Sequence, residues 1–139
     1  MASFAIERTV NISIEKVWAM IGDFSKAPTP DISVVVEKKG DLKAAGVGTV
    51  RRITIGKVCV KEELESANPP NAFTYRILSG APMKEYRGTV TFTDIGGKTL
   101  IRWSADLKPK IPLTGAICCR VAKGAVNQLI DSIEKHHTI

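Results

Sequence analysis

The sequence predicts an α+β domain in which antiparallel strands are followed by one long C-terminal helix. In residues 113–137 apolar side chains recur three and four positions apart, the spacing of a helix with one buried face. Most of the preceding chain consists of short β-branched or alternating segments separated by Gly, Pro and Asn, which is typical of hairpins. At 139 residues, the chain fits one domain, residues 1–139.

The chain is predicted to begin with a strand and two short helices. Residues 3–12 alternate apolar and polar side chains, as in a half-buried strand, and Arg8 shares the apolar phase. Ser13 is placed to cap a short helix over Ile14 to Ile21, and Asp23 to cap one further turn.

Six more strands and the long helix follow. The strands are predicted at Ile32–Lys38, Val50–Ile55, Val58–Ser66, Phe73–Ser79, Glu85–Ile95 and Thr99–Leu107. The helix is predicted from Leu113 to His137, with Thr114 as its cap. Small residues, including Ala122 and Ala125, occupy the first half of its buried face. They indicate either close backbone approach or empty volume.

The hairpin turns fix a register. Gly56 and Lys57 have the composition of a two-residue type II′ turn, which places Arg51 directly opposite Glu62. The same counting through the next turn places apolar side chains opposite apolar side chains, which a random register would not do repeatedly.

Arg51 and Glu62 are therefore predicted on the apolar face of the sheet, where desolvating two charges costs several kcal/mol. Three explanations stay open. The pair forms a salt bridge near a strand end that is open to solvent; it forms the polar floor of an apolar pocket that hydrogen-bonds a ligand's carbonyl or hydroxyl; or the register is slipped.

Aromatic residues and one loop extend the candidate pocket. Tyr75, Tyr86 and Trp103 are either core residues or part of a pocket lining, since each has one polar atom that needs a partner when buried. Residues Gly80 to Lys84 form either a plain turn or a lid over the pocket mouth. The segment Gly22 to Pro30, which carries Phe24, is a candidate for the opposite lip.

Composition narrows the classes of function. The formal net charge is +6, but the basic residues are spread over strands, loops and helix, so we expect no nucleic-acid partner. Three cysteines and two terminal histidines form neither a disulfide framework nor a metal-ligand pattern, and we expect no metal and no cofactor. We also expect no signal peptide and no membrane-spanning segment, and hence a cytoplasmic protein.

Several segments resemble the START/polyketide cyclase-dehydrase superfamily (SRPBCC), and most closely its polyketide cyclase/dehydrase-type branch. They are Ile14–Trp18, Gly46–Arg51, Glu62–Leu64, Gly80–Tyr86, Thr99–Trp103 and the final helix. The resemblance implies a helix-grip fold. In this fold a curved seven-stranded antiparallel sheet wraps the C-terminal helix, two short helices close one end, and a cavity between sheet and helix binds a lipophilic ligand.

The branch is similar to the plant abscisic acid receptors. In those receptors, the glutamate matching Glu62 and the tyrosine matching Tyr86 join a water network around the ligand. The resemblance places one side of the entrance at Gly80 to Lys84 and an opposing gate at Gly56-Lys57, which this chain reduces to a two-residue turn. The ligand-binding lysine of the receptors' second strand has no counterpart in residues 32–36.

The leading hypothesis is binding of a polyketide-, sterol- or lipid-like molecule. The ligand-binding candidates are Arg51, Ile53, Glu62, Tyr75, Met83, Tyr86, Trp103, Ile117, Val121 and Ala125. One alternative is a polyketide cyclase or dehydratase in which Glu62 or Tyr86 acts as general acid or base and Arg51 polarises a carbonyl. Another alternative is an interaction module with a vestigial pocket.

Overall fold

The computed structural model describes residues 2–137 as one sheet and one long helix. The strands are β1 (Ala2–Val10), β2 (Ser33–Lys38), β3 (Val50–Ile55), β4 (Val58–Asn68), β5 (Ala72–Ser79), β6 (Met83–Ile95) and β7 (Lys98–Pro109). The helices are α1 (Ile14–Val17), which continues as a π-helical turn (Trp18–Gly22), a 3-10 turn (Leu42–Ala44) and α2 (Gly115–His136). Met1, Thr138 and Ile139, which the predicted domain includes, lie outside the described residues.

The seven strands form a single curved antiparallel sheet in the order β1-β7-β6-β5-β4-β3-β2. This confirms the predicted helix-grip architecture, with α2 packed on the inner face of the sheet and a short helical segment, α1 with its π-helical turn, between β1 and β2. The further helical turn predicted after Asp23 is wrong, since residues 23–30 contain no helix. Arg8 lies in β1 on the inner phase and reaches α2, where its Nη1 is 2.7 Å from Asp131 Oδ1 and its Nη2 also pairs with Glu134. The polar residue in the apolar phase of β1 therefore holds strand and helix together.

The predicted hairpin register is confirmed. Arg51 is paired with Glu62 across β3 and β4, and Leu64 with Tyr75 across β4 and β5. Gly56 has φ +58°, as the first turn position of a type II′ turn requires. Turn length and side-chain alternation were sufficient here because a slip of one residue would turn every side chain to the wrong face.

The start of the long helix differs from the prediction. Leu113, predicted as its first residue, has φ +69° and lies outside the helix, which begins at Gly115. Thr114 holds the N-cap position, but its hydroxyl donates to the Ile111 carbonyl at 2.6 Å and does not cap the first turn. The predicted start at Leu113 is therefore wrong by two residues.

One end of the interior is filled by aromatic rings. Phe73 lies 5.9 Å from Trp18, 5.5 Å from Phe24 and 6.2 Å from Phe92, measured between ring centroids. A Cβ atom on Gly22 would lie 2.6 Å from the Trp18 ring, so this ring packs directly on the backbone of the π-helical turn. The end of the sheet nearest α1 is thus closed by packed aromatics.

Candidate ligand-binding cavity

A cavity of about 370 Å³ lies between the inner face of the sheet and the first half of α2. Its size is within the range of small-molecule sites. All ten residues predicted to contact a ligand lie on its wall: Arg51, Ile53, Glu62, Tyr75, Met83, Tyr86, Trp103, Ile117, Val121 and Ala125. Their part in binding stays a prediction, as does the catalytic role considered for Glu62, Tyr86 and Arg51.

Small residues of α2 leave the space open. Ala122 and Ala125 line the cavity, where a larger side chain on the same helix face would project into it. At Ala122 and Ala125 the small side chains therefore border empty volume and do not mark a close approach of two backbones. Further along α2 the same face carries Leu129, Ile130 and Ile133, which are fully or almost fully buried, and the helix packs closely on the sheet.

The Arg51 and Glu62 side chains pair inside the protein. Arg51 donates from Nε at 3.2 Å and from Nη2 at 3.1 Å, both to Glu62 Oε1. Only 4% of Arg51 and 8% of Glu62 is exposed, so the explanation as a solvent-open salt bridge is wrong, and so is the slipped register. The Phe24 ring covers the guanidinium, with its centroid 3.6 Å from Cζ, a cation–π contact.

Phe24 contributes to this site in a way that the sequence did not indicate. The segment Gly22 to Pro30 was a candidate for the opposite lip of the pocket, but none of its residues lines the cavity, and its Phe24 lies 2% exposed against Arg51. An aromatic residue shortly after a capped helix carries no spacing that predicts contact with a strand about 27 positions away. The cation–π contact depends on the path of the whole connection between α1 and β2.

Glu62 presents an unused acceptor. Both bonds from Arg51 end on Oε1, and Oε2 accepts from no donor among the described residues. Burial raises the pKa of the Glu62 carboxyl above its ordinary value, and the positive charge and hydrogen bonds of Arg51 offset this only in part. The second carboxylate oxygen therefore has no donor among the described residues and is free to accept from a molecule in the cavity.

Tyr75 and Tyr86 present an unused donor. Trp103 Nε1 donates to Tyr75 Oη at 2.9 Å, and the two phenolic oxygens lie 3.0 Å apart. Since one hydrogen serves the contact between the hydroxyls, the other remains free to donate into the cavity. Burial raises the pKa of both phenols, so they stay protonated and act as donors, not bases.

The Tyr75 ring is fixed in place by close packing. A Cβ atom on Gly88, its cross-strand neighbour, would lie 2.3 Å from the ring, which therefore rests on bare backbone. Tyr75 also lies 6.0 Å from Trp103 and 6.1 Å from Phe73, ring centroid to centroid. Tyr75 and Trp103 thus form the floor of the cavity, above the aromatic rings that close the far end.

The mouth is bounded by a loop, a turn and the start of α2. Residues 80–83 line the cavity, and the Pro82 carbonyl accepts from the Lys110 backbone N–H at 3.1 Å. On the opposite side, a Cβ atom on Gly56 would lie 2.8 Å from Gln128 Oε1, so the short turn touches α2. The function of residues 80–84 as a lid stays a prediction.

Residues 2–137 contain neither a metal-ligand cluster nor a membrane-spanning helix. Their Cys, His, Asp and Glu side chains contain no group of three or more that could hold a metal ion. No helix in this part of the chain is long and apolar enough to cross a membrane.

Comparison with known proteins identifies the family. Residues 1–138 match the family described as "Polyketide cyclase / dehydrase and lipid transport". The chain belongs to this family. It is 30% identical over 116 residues to MLP-like protein 423 of Arabidopsis thaliana, which covers 74% of each chain.

Two solved structures share the fold at low sequence identity. The protein XoxI from Bacillus cereus has a TM-score of 0.77 at 22% identity, covering 97% of this chain and 94% of that chain. A START superfamily protein from Mycobacterium smegmatis also has a TM-score of 0.77, at 14% identity, covering 97% and 96%. The recognition of the superfamily from sequence motifs is confirmed.

Proposed function

We propose that this polyketide cyclase/dehydrase family protein binds an apolar small molecule with one polar end, of polyketide, sterol or lipid type. The observation that carries the proposal is the contrast within one cavity of about 370 Å³. Its walls are mainly aliphatic, while its floor holds a free phenolic donor and a free carboxylate acceptor. In a core without a ligand both groups would stay unpaired, and burying unpaired polar groups lowers stability.

The chemistry of the floor defines the ligand's polar end. A carbonyl would accept from the tyrosine pair, and a hydroxyl would donate to Glu62 Oε2. Glu62 and Tyr86 line the same cavity, which supports their acting on one ligand. A molecule with a hydroxyl near a carbonyl, or a single hydroxyl that donates and accepts, fits best.

A ligand screen with two variants tests this proposal. Thermal-shift measurements with sterols, flavonoids, fatty acids and aromatic polyketides should identify a class that stabilises the protein, by about 2.7 kcal/mol at a hundredfold excess over Kd. Quenching of Trp103 fluorescence should report the same binding. Glu62→Gln and Tyr86→Phe should each weaken it, whereas Glu63→Gln, on the outer face beside Arg76, should not. Indifference to every class would favour the interaction module.

A reaction is the second candidate, favoured by the raised pKa of Glu62. A carboxyl group that titrates nearer neutrality is a better general acid or base for enolisation or dehydration. Arg51, which already binds Glu62, would polarise a carbonyl. Turnover of an aromatic polyketide precursor that is lost in Glu62→Gln but kept in Glu63→Gln would support an enzyme; unchanged turnover would exclude Glu62 from that role.

The cytoplasm stays our prediction for the location of the protein. Cys59, Cys118 and Cys119 are free thiols, which suits a reducing compartment.

A further inference from the structure

Four large aliphatic side chains project into water beside the cavity mouth. Ile111, Leu113, Ile117 and Val121, here called the apolar rim, are 61%, 101%, 59% and 53% exposed. Ile117 and Val121 also line the cavity, so the rim is continuous with its entrance. Exposed apolar groups that cluster in this way mark an interaction site more often than scattered ones do.

Leu113 is held in an unfavourable backbone conformation. Its φ of +69° lies in the left-handed region, which is rare for residues with a bulky side chain. Its side chain is fully exposed, so burial within the protein does not compensate. The Thr114 hydroxyl bonded to the Ile111 carbonyl braces this turn from both sides of Leu113. The local structure thus presents a leucine to the outside, where it gains nothing from the fold itself.

The rim lies in a segment of the chain whose charged residues are all basic. Residues 107–130 contain four basic residues and no Asp or Glu, a net charge of +4. The rest of the chain has 16 basic and 14 acidic residues and carries only +2 of the total +6. Lys108, Lys110, Arg120 and Lys123 are all exposed. Among the described residues none of them forms an ion pair.

Exposed aliphatic side chains beside unpaired cations fit an anionic bilayer better than a second copy of the chain or a nucleic acid. Aliphatic side chains flanked by unpaired cations suit the boundary between headgroups and acyl chains of an anionic bilayer. A second copy of the chain would bring an equal positive charge against the same face, which opposes a symmetric dimer. Single-stranded nucleic acid is bound with stacking aromatic residues, and residues 107–130 contain no Phe, Trp or Tyr.

We propose that the apolar rim and its four cations dock the protein reversibly on anionic phospholipid bilayers. Leu113 and Ile111 enter the acyl boundary, and the cations contact the headgroups. Docking itself does not depend on the proposed function. If that function holds, the docked orientation places the cavity mouth against the bilayer, and an apolar ligand passes between the two without crossing water.

Vesicle flotation with the full chain tests the proposal. The protein should float with vesicles of phosphatidylcholine and phosphatidylglycerol, but not with phosphatidylcholine alone, and added NaCl should release it. Leu113→Asn should lower the partition about tenfold, the effect of one leucine no longer leaving water. Because Asn tolerates the left-handed conformation, its melting temperature should not fall. Lys108→Ser should lower the partition by about fivefold.

The matched control is on another exposed loop. Leu42 is 92% exposed and Lys43 lies beside it, so Leu42→Asn and Lys43→Ser remove equivalent groups away from the cavity mouth and should leave flotation unchanged. Equal losses in the control variants, binding that ignores lipid charge, or no flotation would each overturn the proposal. The proposal would also be overturned if Leu113→Asn abolished dimerisation, measured by light scattering, or RNA binding, while vesicle flotation persisted.

A ligand assay separates this proposal from the preceding one. Leu113 is not part of the cavity wall. Leu113→Asn should therefore keep Trp103 quenching by dissolved ligand while it loses flotation. Loss of quenching in Glu62→Gln with normal flotation would be the converse result.

Discussion

The side chains of Arg51 and Glu62 lie on the inner face of the hairpin formed by β3 and β4, among apolar neighbours. Desolvating a charge pair costs more than an apolar pair of similar volume, so its presence does not follow from the needs of folding. The unpartnered Arg51 Nη1 adds to this cost, since it finds no acceptor in the described part of the chain. The pair therefore fits the proposed binding site better than a core built for stability alone.

Replacing both members of the pair should separate stability from binding. We expect Arg51→Met with Glu62→Leu to leave the free energy of unfolding unchanged or to raise it by about 1–4 kcal/mol, and to abolish ligand binding. Arg51→Met alone should cost about 3–5 kcal/mol, because it leaves a buried carboxyl without its partner. Urea unfolding measures these values.

The control for this experiment is the exposed cross-strand pair of Glu63 and Arg76, 2.7 Å apart on the outer face. Its double replacement, Arg76→Met with Glu63→Leu, should change stability by less than about 1 kcal/mol. A double variant at Arg51 and Glu62 that is less stable than Arg51→Met would contradict the argument.

The raised pKa of Glu62 predicts a pH dependence of stability. Between the ordinary carboxyl pKa and the raised one, the folded protein holds a proton that the unfolded chain has lost, so stability falls as pH rises through this window. Glu62→Gln does not titrate and should remove that slope. Urea unfolding of both proteins at several pH values checks this; parallel pH profiles would show that the Glu62 pKa is unshifted.

Single residues were predictable where chain geometry alone decides their position. Turn counting placed Arg51 opposite Glu62, since the side chains of a strand alternate strictly. The contact of Phe24 with Arg51 was not predictable, because it depends on how a long connection folds back. The free donor of the tyrosine pair was not predictable either, because it follows from one hydrogen-bond distance.

At the scale of elements, two glycines have opposite roles. Gly88 in β6 is the surface on which the Tyr75 ring lies, and an added Cβ would meet that ring at 2.3 Å. Gly124 in α2 is exposed, and no atom would lie within 4 Å of an added Cβ. The same substitution should therefore have opposite effects at the two sites.

We expect Gly88→Ala to destabilise the protein by about 1–3 kcal/mol, through overpacking, and to weaken ligand binding by displacing Tyr75. Gly124→Ala should stabilise it by about 1 kcal/mol, because alanine is the better helix former. Thermal unfolding and Trp103 quenching measure both. Equal effects at the two positions would show that the Tyr75 ring adjusts freely.

The strands and their pairing were predicted correctly, but the ends of strands and helices differ from the prediction by up to two residues. β-Strand positions follow from alternation and turn residues, which are local. The helix start at Gly115 depends on Thr114, whose hydroxyl takes the Ile111 carbonyl as its acceptor. The π-helical turn after α1 is likewise set by the packing of Trp18 on Gly22. Propensity alone does not report such contacts.

At the scale of the molecule, the interior is divided into a packed end and an open end. Aromatic rings fill the end near α1, and the cavity occupies the end near the start of α2. The sequence showed small residues on α2 but did not distinguish close approach from open volume. That distinction depends on the distance between helix and sheet, which no local pattern encodes.

A larger side chain in the cavity should raise the stability of the protein and lower its affinity for a ligand. We expect Ala125→Leu to raise the free energy of unfolding by about 0.5–2 kcal/mol, as cavity-filling substitutions commonly do, and to lower ligand affinity. Ala116→Leu, on the exposed face of the same helix, should change neither. Chemical unfolding and ligand titration check this, and unaltered affinity in Ala125→Leu would place the ligand elsewhere.

The two-residue turn at Gly56 and Lys57 limits how this protein can respond to an occupant. A swinging flap needs enough free backbone to sweep across an opening, whereas this turn is tied by the flanking pair Ile55 and Val58 and rests on α2. Any conformational change in response to a bound ligand must then involve another segment, such as the opposite loop. A short, anchored turn is better suited to a carrier that takes up and releases a ligand than to a receptor that closes over its ligand and signals.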